Sequence, residues 1–213
     1  MSARSANPSL APVWGGVLVG GESRRMGKAK QLLELGGRTL VERVVAALEP
    51  AVEGIVLLGA GAVPPGLASL PRLADDGRLR GPLAGLLAAF AHRPGAAWLV
   101  AACDLPLIRP AAVAWLAAQR TRGIAAILPR LPHPPQMGPG GIEPLFALYE
   151  PEARPLLERL AASPKPSFQH LVEDPRVATP APPVGLRPAW RNLNTPDELE
   201  SLRREWAADG GRG

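Results

Sequence analysis

The chain has 213 residues and is 46% hydrophobic, which suits one substantial core and leaves little room for a second. The formal net charge is +5, but the basic residues are scattered and aromatic residues make up only 4%, which argues against nucleic-acid partners. A single cysteine excludes an intrachain disulfide, and no apolar run approaches the roughly 20 residues that span a bilayer, so we expect a cytoplasmic protein without membrane partners.

The first 12 residues are polar and are expected to form a flexible leader before a single domain over residues 13–209. That domain opens with an apolar strand that ends in Gly20 and Gly21. Because these residues lack a Cβ, their main-chain N–H groups can approach phosphate oxygens closely. Arg25 offers a planar fork for a phosphate edge, and Lys30 supplies a point charge at the far end of the loop. The stretch predicts a phosphate-binding loop, with a solvated basic turn as the alternative.

Two common phosphate-binding motifs do not fit this loop. A P-loop would need a glycine at the position of Glu22 and a hydroxyl at that of Ala29. A dinucleotide fingerprint needs G-x-G-x-x-G opening into a helix, whereas no glycine follows the adjacent pair until Gly27. The loop therefore belongs to another class.

The loop resembles the signature of the nucleotidyltransferases related to molybdenum cofactor guanylyltransferase, L-A-G-G-x-S-x-R-M-G-x-D-K. The residues that match in register are Leu18, Gly20, Gly21, Ser23, Arg25, Met26, Gly27 and Lys30. Val19 replaces an alanine, and Ala29 replaces the aspartate before the lysine. The resemblance implies that nucleotide is bound by Leu18, Val19, Gly20, Gly21 and Lys30. The following Gln31-Leu32-Leu33 is familiar from cytidylyl-transferring relatives, so the loop alone does not name the nucleotide.

The elements that follow alternate between helices and short apolar strands. Thr39 and Glu42 form a capping box that predicts a helix to about residue 48, and Thr195 with Glu198 forms a second one. Further strands are predicted over residues 55–58, 72–74, 98–103, 124–128 and 142–149, and further helices over 82–92, 110–120, 151–161, 168–173 and 196–206. This order predicts a three-layer α/β/α sandwich with a mainly parallel sheet and a site along the carboxyl ends of the strands. The resemblance implies a nucleotide-diphospho-sugar transferase-like fold.

An acidic residue, Asp76, precedes Gly81-Pro82-Leu83-Ala84-Gly85 by more than a helix cap allows, which favours a ligand-holding loop. The same arrangement resembles the guanylyltransferase family, in which an acidic residue precedes G-P-L-A-G. The resemblance implies that Asp76 lies near the ribose and that Gly81, Pro82 and Leu83 lie near the base. Guanine-reading members often carry asparagine where this chain has Leu58-Gly59, so the base stays open.

Asp104 follows an apolar strand, and a carboxylate at the carboxyl end of a central parallel strand suits Mg²⁺ carrying nucleotide phosphates. A turn or cap before the helix at Pro110 is the alternative. The C-D-x-P arrangement also resembles the metal-binding motif of the family. Cys103 is expected to be a small buried hydrophobe rather than a nucleophile. No metal-ligand spacing relates the histidines, which are His92, His133 and His170.

Three later segments of the chain give further predictions. The run over residues 144–149 resembles the P-L-F-A-L-Y element of the family, and Pro144 is expected at an edge or bulge. The segment from Asn192 to Leu199 resembles the family's N-x-N-T-P-E-x-L ending, and this resemblance suggests that Asn192 or Asn194 lies near the metal or the acceptor. The proline- and glycine-rich loop over residues 129–141 is a candidate lid, with an inert solvated loop as the alternative.

Together these features predict nucleotidyl transfer, in which a phosphate oxygen of an acceptor attacks the α-phosphate of a nucleoside triphosphate. Arg25, Lys30 and Asp104 are the predicted catalytic residues because such chemistry calls for positioning and charge neutralisation. The resemblance implies GTP as donor, molybdopterin as acceptor and Mg²⁺ at Asp104, in a monomer or weak homo-oligomer. One alternative is a cytidylyltransferase or sugar-phosphate nucleotidyltransferase of the same fold. The other is a non-catalytic nucleotide-binding module, for which Ala29 is the only hint.

Overall fold

The fold is described from a computed structural model, which covers residues 10–20, 29–74, 79, 81–132 and 141–208. Its strands in chain order are β1 (Val13–Leu18), β2 (Glu34–Leu35), β3 (Arg38–Thr39), β4 (Ile55–Leu58), β5 (Arg72–Leu73), β6 (Ala97–Ala102), β7 (Ala126–Ile127), β8 (Phe146–Tyr149) and β9 (Val177–Ala178). Within these residues, a seven-stranded sheet has the order β5-β4-β1-β6-β8-β7-β9, and β2 and β3 form a separate hairpin.

The sheet is mainly parallel, as predicted, with one reversed strand inside it. β1 runs parallel to both β4 and β6, β4 runs parallel to β5, and β7 runs parallel to β9. β8 is antiparallel to both of its neighbours, β6 and β7. The residues just before β8 therefore lie at the same edge of the sheet as the residues just after β1, β4 and β6.

Helices cover both faces of the sheet, which confirms the three-layer prediction. They are α1 (Leu40–Leu48), α2 (Pro82–His92), α3 (Pro110–Ala117), α4 (Arg154–Ala161) and α5 (Pro196–Ala208). The apolar sides of α1 and α3 pack in one buried cluster with inward side chains of β1, β4 and β6. Those of α2 and α4 pack in a second cluster on the opposite face. Because both faces of the central strands are covered, their sequences are continuous apolar runs rather than alternating ones.

Local sequence signals placed several element ends correctly. The backbone N–H of Thr39 donates to Glu42 Oε2 at 2.8 Å and the Glu42 N–H returns to Thr39 Oγ1 at 3.4 Å, which is the predicted capping box of α1. The segment over residues 168–173 is a 3-10 helix rather than an α-helix. The predicted strand over residues 142–149 is shorter because Pro144 has no N–H to donate; only an isolated Arg130–Ile142 bridge precedes β8.

The amino-terminal edge of the sheet is held by a buried ion pair. Arg120 donates to Glu150 Oε2 at 2.8 Å and to the carbonyl oxygen of Ala11 at 2.7 Å. The Ala97 N–H donates to the Pro12 carbonyl at 2.9 Å, so the two residues before β1 are bonded to the body of the fold. No helix in the described part of the chain is long and apolar enough to span a bilayer.

Candidate functional site

The turns that follow β1, β4 and β6 converge at one edge of the sheet. Leu18 is in register with both Leu58 and Ala102, so the three strands end at the same level. The Val19 N–H donates to the Leu58 carbonyl at 2.8 Å, and the Cys103 N–H donates to the Leu18 carbonyl at 3.2 Å. Residues that follow these strands are consequently brought side by side.

Lys30 is the centre of the polar contacts at this edge. Its Nζ lies 3.4 Å from Asp104 Oδ2 and donates to Asn194 Oδ1 at 3.2 Å. The side chains of Lys30 and Asp104 are 20% and 23% exposed, so the pair is partly shielded from water but open to a ligand. The structure thus brings together two predicted site residues that are 74 positions apart and adds Asn194.

Asn194 reaches Lys30 because the C-terminal segment is bonded back to the sheet. The Leu193 N–H donates to the carbonyl oxygen of Asp104 at 2.9 Å. The Asn194 N–H donates to Glu198 Oε2 at 2.6 Å, and Glu198 also completes the capping of α5 with Thr195. Of the two asparagines singled out from the sequence, Asn194 contacts Lys30, whereas Asn192 is exposed and makes no such contact.

The turn after β1 packs tightly against the turn after β4. Gly20 has a φ of +140°, a region that favours glycine. The Gly61 N–H donates to the Val19 carbonyl at 3.1 Å, and a Cβ on Gly61 would lie 2.7 Å from Gln31 Nε2 and 2.8 Å from the Gly20 nitrogen. The buried Gln31 directly follows Lys30, so this close packing fixes the chain on both sides of the predicted phosphate-binding loop.

The N-terminus of α2 approaches the same edge. A Cβ on Gly85 would lie 3.1 Å from Leu18 Cδ2 and 3.2 Å from Leu58 Cβ, so the helix crosses the ends of β1 and β4 closely. Gly81 caps the helix with a φ of +82°, Pro82 is its first residue, and Leu83 is buried in the core. Of the three residues predicted to lie near the base, Gly81 and Pro82 are exposed and Leu83 is buried.

Some predicted site residues lie outside the described part of the chain. They are Gly21, Arg25 and Asp76. The central part of the predicted lid, residues 133–140, also lies outside it. Their predicted roles remain predictions.

Glu143 was missed by the sequence reasoning. It precedes β8, whose reversed direction brings it to this edge, and Ala101 in β6 pairs with Phe146 in β8. Burial, and to a smaller extent the negative charge of Asp104, raises the pKa of Glu143 to about 7. The available signal was a carboxylate immediately before the P-L-F-A-L-Y element, but its position depends on the strand direction, which the sequence does not reveal.

Cys103 has the environment of a core residue. Its thiol is 6% exposed, and burial, followed by the negative charge of Asp104, raises its pKa to about 12. A protonated thiol is a poor nucleophile, which agrees with the prediction that Cys103 acts as a small buried hydrophobe. Within the described ranges, no group of three or more His, Cys, Asp and Glu side chains could hold a metal ion by itself.

The donor chemistry of the edge fits a divalent cation that arrives with phosphates. Mg²⁺ is usually bound through one or two carboxylates together with waters and substrate phosphates, rather than by a full protein cage. Asp104 supplies a partly exposed carboxylate, and the amide oxygen of Asn194 lies 3.2 Å from Lys30 Nζ. The residues present can therefore hold one face of such an ion.

Comparison with known proteins shows which family the chain resembles. A family model described as a MobA-like NTP transferase domain matches residues 15–176. A probable molybdenum cofactor guanylyltransferase of Opitutus terrae is 34% identical over 95% of this chain and 100% of its own. The crystal structure of molybdopterin-guanine dinucleotide biosynthesis protein A from Archaeoglobus fulgidus matches with a TM-score of 0.69 and 26% identity, covering 92% of this chain and 99% of the other.

A cytidylyl-transferring enzyme shares the fold. The structure of 2-C-methyl-D-erythritol 4-phosphate cytidylyltransferase from Thermus thermophilus covers 90% of this chain and 98% of its own, with a TM-score of 0.59. Its identity is 20%, so this likeness shows the fold alone.

Proposed function

This chain belongs to the MobA-like NTP transferase family, and we propose that it transfers GMP from GTP to the terminal phosphate of molybdopterin with release of pyrophosphate. The names of the Opitutus and Archaeoglobus relatives support both the guanine nucleotide and the molybdopterin acceptor. The complete Gly81 to Gly85 match to the guanylyltransferase motif supports the same choice of base.

The main observation in support of this proposal is that Lys30 Nζ contacts the side chains of both Asp104 and Asn194. A cation and a hard oxygen donor, 3.4 Å apart at the carboxyl ends of parallel strands, form a place where a metal-bound triphosphate can lie. The ammonium group can exchange its contact with Asp104 for one with a phosphate oxygen when a metal ion takes over the carboxylate.

The proposed reaction is an in-line displacement at phosphorus. An oxygen of the acceptor phosphate forms a bond to the α-phosphorus of GTP, and the bond from that phosphorus to the α–β bridging oxygen breaks. The electron pair of the broken bond leaves with pyrophosphate. No covalent enzyme intermediate and no general base are needed, because the attacking phosphate oxygen is already anionic.

The residues of the chain act by position and charge. Lys30, together with Arg25, offsets negative charge on the α-phosphate and the leaving pyrophosphate. The main chain of Gly20 and Gly21 binds phosphate oxygens through N–H groups. A Mg²⁺ ion held by Asp104 supplies further charge neutralisation when bound.

The nucleoside is proposed to lie along the start of α2. Gly81 and Pro82 are exposed there, and Leu83 anchors the helix in the core. Asp76 is proposed to bind the ribose. We further propose that residues 13–209 act as one catalytic domain, as a monomer or weak homo-oligomer, and that the protein is cytoplasmic, which the single cysteine supports.

The direct test is incubation of the purified protein with molybdopterin, Mg²⁺ and either GTP or CTP, followed by mass spectrometry of the products. The expected result is molybdopterin guanine dinucleotide with GTP, with pyrophosphate release only when molybdopterin is present. A cytidine dinucleotide would instead favour the cytidylyl alternative. GTP binding without any product would favour the non-catalytic module.

A further inference from the structure

The strand pairing brings a second carboxylate to Asp104. Ala101 in β6 pairs with Phe146 in β8, and the Ala102 N–H donates to the Leu145 carbonyl at 2.7 Å. In an antiparallel pair each step forward on one strand is matched by one step back on the other. Glu143 therefore precedes β8 at the edge where Asp104 follows β6, and each lies two residues beyond the bond between Ala102 and Leu145.

The main chain around Glu143 is fixed on both sides. Its N–H donates to the Pro129 carbonyl at 2.8 Å, and the preceding Ile142 bridges to Arg130. The following Pro144 accepts a hydrogen bond from the Tyr149 hydroxyl at 2.8 Å. A carboxylate mounted on such a rigid backbone is suited to binding a ligand at a defined place.

The carboxylate of Glu143 has no charge-neutralising partner in the described part of the chain. Among the described residues, no hydrogen bond or ion pair reaches it, and Lys30 is directed to Asp104 and Asn194 instead. The carboxylate of Asp104, which follows the neighbouring strand β6, repels that of Glu143. A divalent cation at this edge would convert that repulsion into attraction to both carboxylates.

We propose that Glu143 is a second carboxylate ligand of the divalent ion at Asp104, so that the ion joins the ends of β6 and β8. Two carboxylates together with nucleotide phosphates are a usual environment for Mg²⁺. The inference deepens the proposed function, on which it rests for the presence of the ion, but it concerns ion binding rather than the identity of the nucleotide or the acceptor.

The test measures Mn²⁺ affinity by electron paramagnetic resonance of the free ion, using the full chain with a non-hydrolysable GTP analogue and no acceptor. Glu143→Gln is expected to weaken Mn²⁺ binding about tenfold, and Glu143→Asp is expected to restore part of it. Glu173→Gln, at an exposed position outside this edge, serves as the matched control and is expected to bind as the unsubstituted protein does.

Thermal melting of each variant in the absence of metal shows whether it is folded, and Asp104→Asn gives the reference for loss of a ligand. Wild-type Mn²⁺ affinity in a folded Glu143→Gln variant would overturn the inference. If Glu143→Gln weakens Mn²⁺ binding but the unsubstituted enzyme forms no dinucleotide, the inference stands and the proposed function is rejected. The failure of the inference and the failure of the proposed function are therefore distinguishable.

Discussion

Lys30 contacts both Asp104 and Asn194, so the contribution of each of these side chains can be tested by a single substitution. The ammonium group is the only one of the predicted catalytic cations that lies in the described part of the chain. Its two oxygen partners come from the middle and from the C-terminal part of the sequence, so either one can be substituted without removing an element of the fold.

Replacing Lys30 by alanine is expected to lower kcat/KM by at least about tenfold, or about 1.4 kcal/mol of transition-state stabilisation. The reason is the loss of a positive charge beside the proposed triphosphate. Steady-state pyrophosphate release measures the effect. Lys165→Ala, which removes an exposed lysine, is the control, and unchanged turnover in Lys30→Ala would remove this lysine from the mechanism.

Asn194 and Asn192 form a matched pair for testing the C-terminal segment. Asn194→Ala is expected to lower kcat/KM about tenfold, because the amide oxygen that orients the charged Lys30 Nζ is lost. Asn192→Ala, two residues away and exposed, is expected to stay within about twofold of the unsubstituted enzyme. Equal losses in both variants would contradict a specific contact with Lys30.

At the scale of elements, the site depends on how closely the turns after neighbouring strands pack. The turns after β1 and β4 meet at Gly61, where there is no room for a Cβ between Gln31 and Gly20. α2 crosses the ends of both strands at Gly85 with similarly little space. The reversed direction of β8 then adds Glu143 to an edge otherwise built from the ends of parallel strands.

Gly61→Ala is expected to destabilise the protein by about 1–3 kcal/mol, since the new methyl group would overlap main-chain atoms of the neighbouring turn. It should also raise the KM for the nucleotide, because the proposed phosphate-binding loop begins at the turn after β1 that Gly61 contacts. Gly66→Ala is the control: no atom lies within 4 Å of its added Cβ. Urea unfolding and steady-state kinetics measure the two effects, and a Gly61→Ala variant as stable as Gly66→Ala would contradict the close packing.

At the scale of the whole molecule, the candidate site and a buried ion pair lie at opposite edges of the sheet. The candidate site lies at the carboxyl edge of the parallel strands. The ion pair between Arg120 and Glu150, with side chains 11% and 5% exposed, lies at the other edge and bonds the segment before β1 through Ala11. Substitutions at that edge therefore change stability without touching the site.

Arg120→Ala is expected to lower the free energy of unfolding by about 3–5 kcal/mol, because it leaves the Glu150 carboxylate buried without its partner. Arg154→Ala removes an exposed pair with Glu158 one helical turn away, and a change below about 1 kcal/mol is expected. Urea denaturation compares the two variants. Activity per folded molecule should be unchanged in both, and a selective loss of kcat in Arg120→Ala would show that the two edges are coupled.

The chain sequence by itself determined the class of fold, the order of most elements and several of their ends. Continuous apolar runs mark strands covered on both faces, and the Thr39–Glu42 and Thr195–Glu198 boxes mark helix starts, because both signals depend only on neighbouring residues. Sequence motifs also selected Lys30 and Asp104. Tertiary structure alone decided that these two residues touch, that Asn194 rather than Asn192 joins them, and that Glu143 lies at the same edge of the sheet as Asp104. Each of these depends on strand order, strand direction or register between segments far apart in the chain, and local patterns carry no information about such pairings.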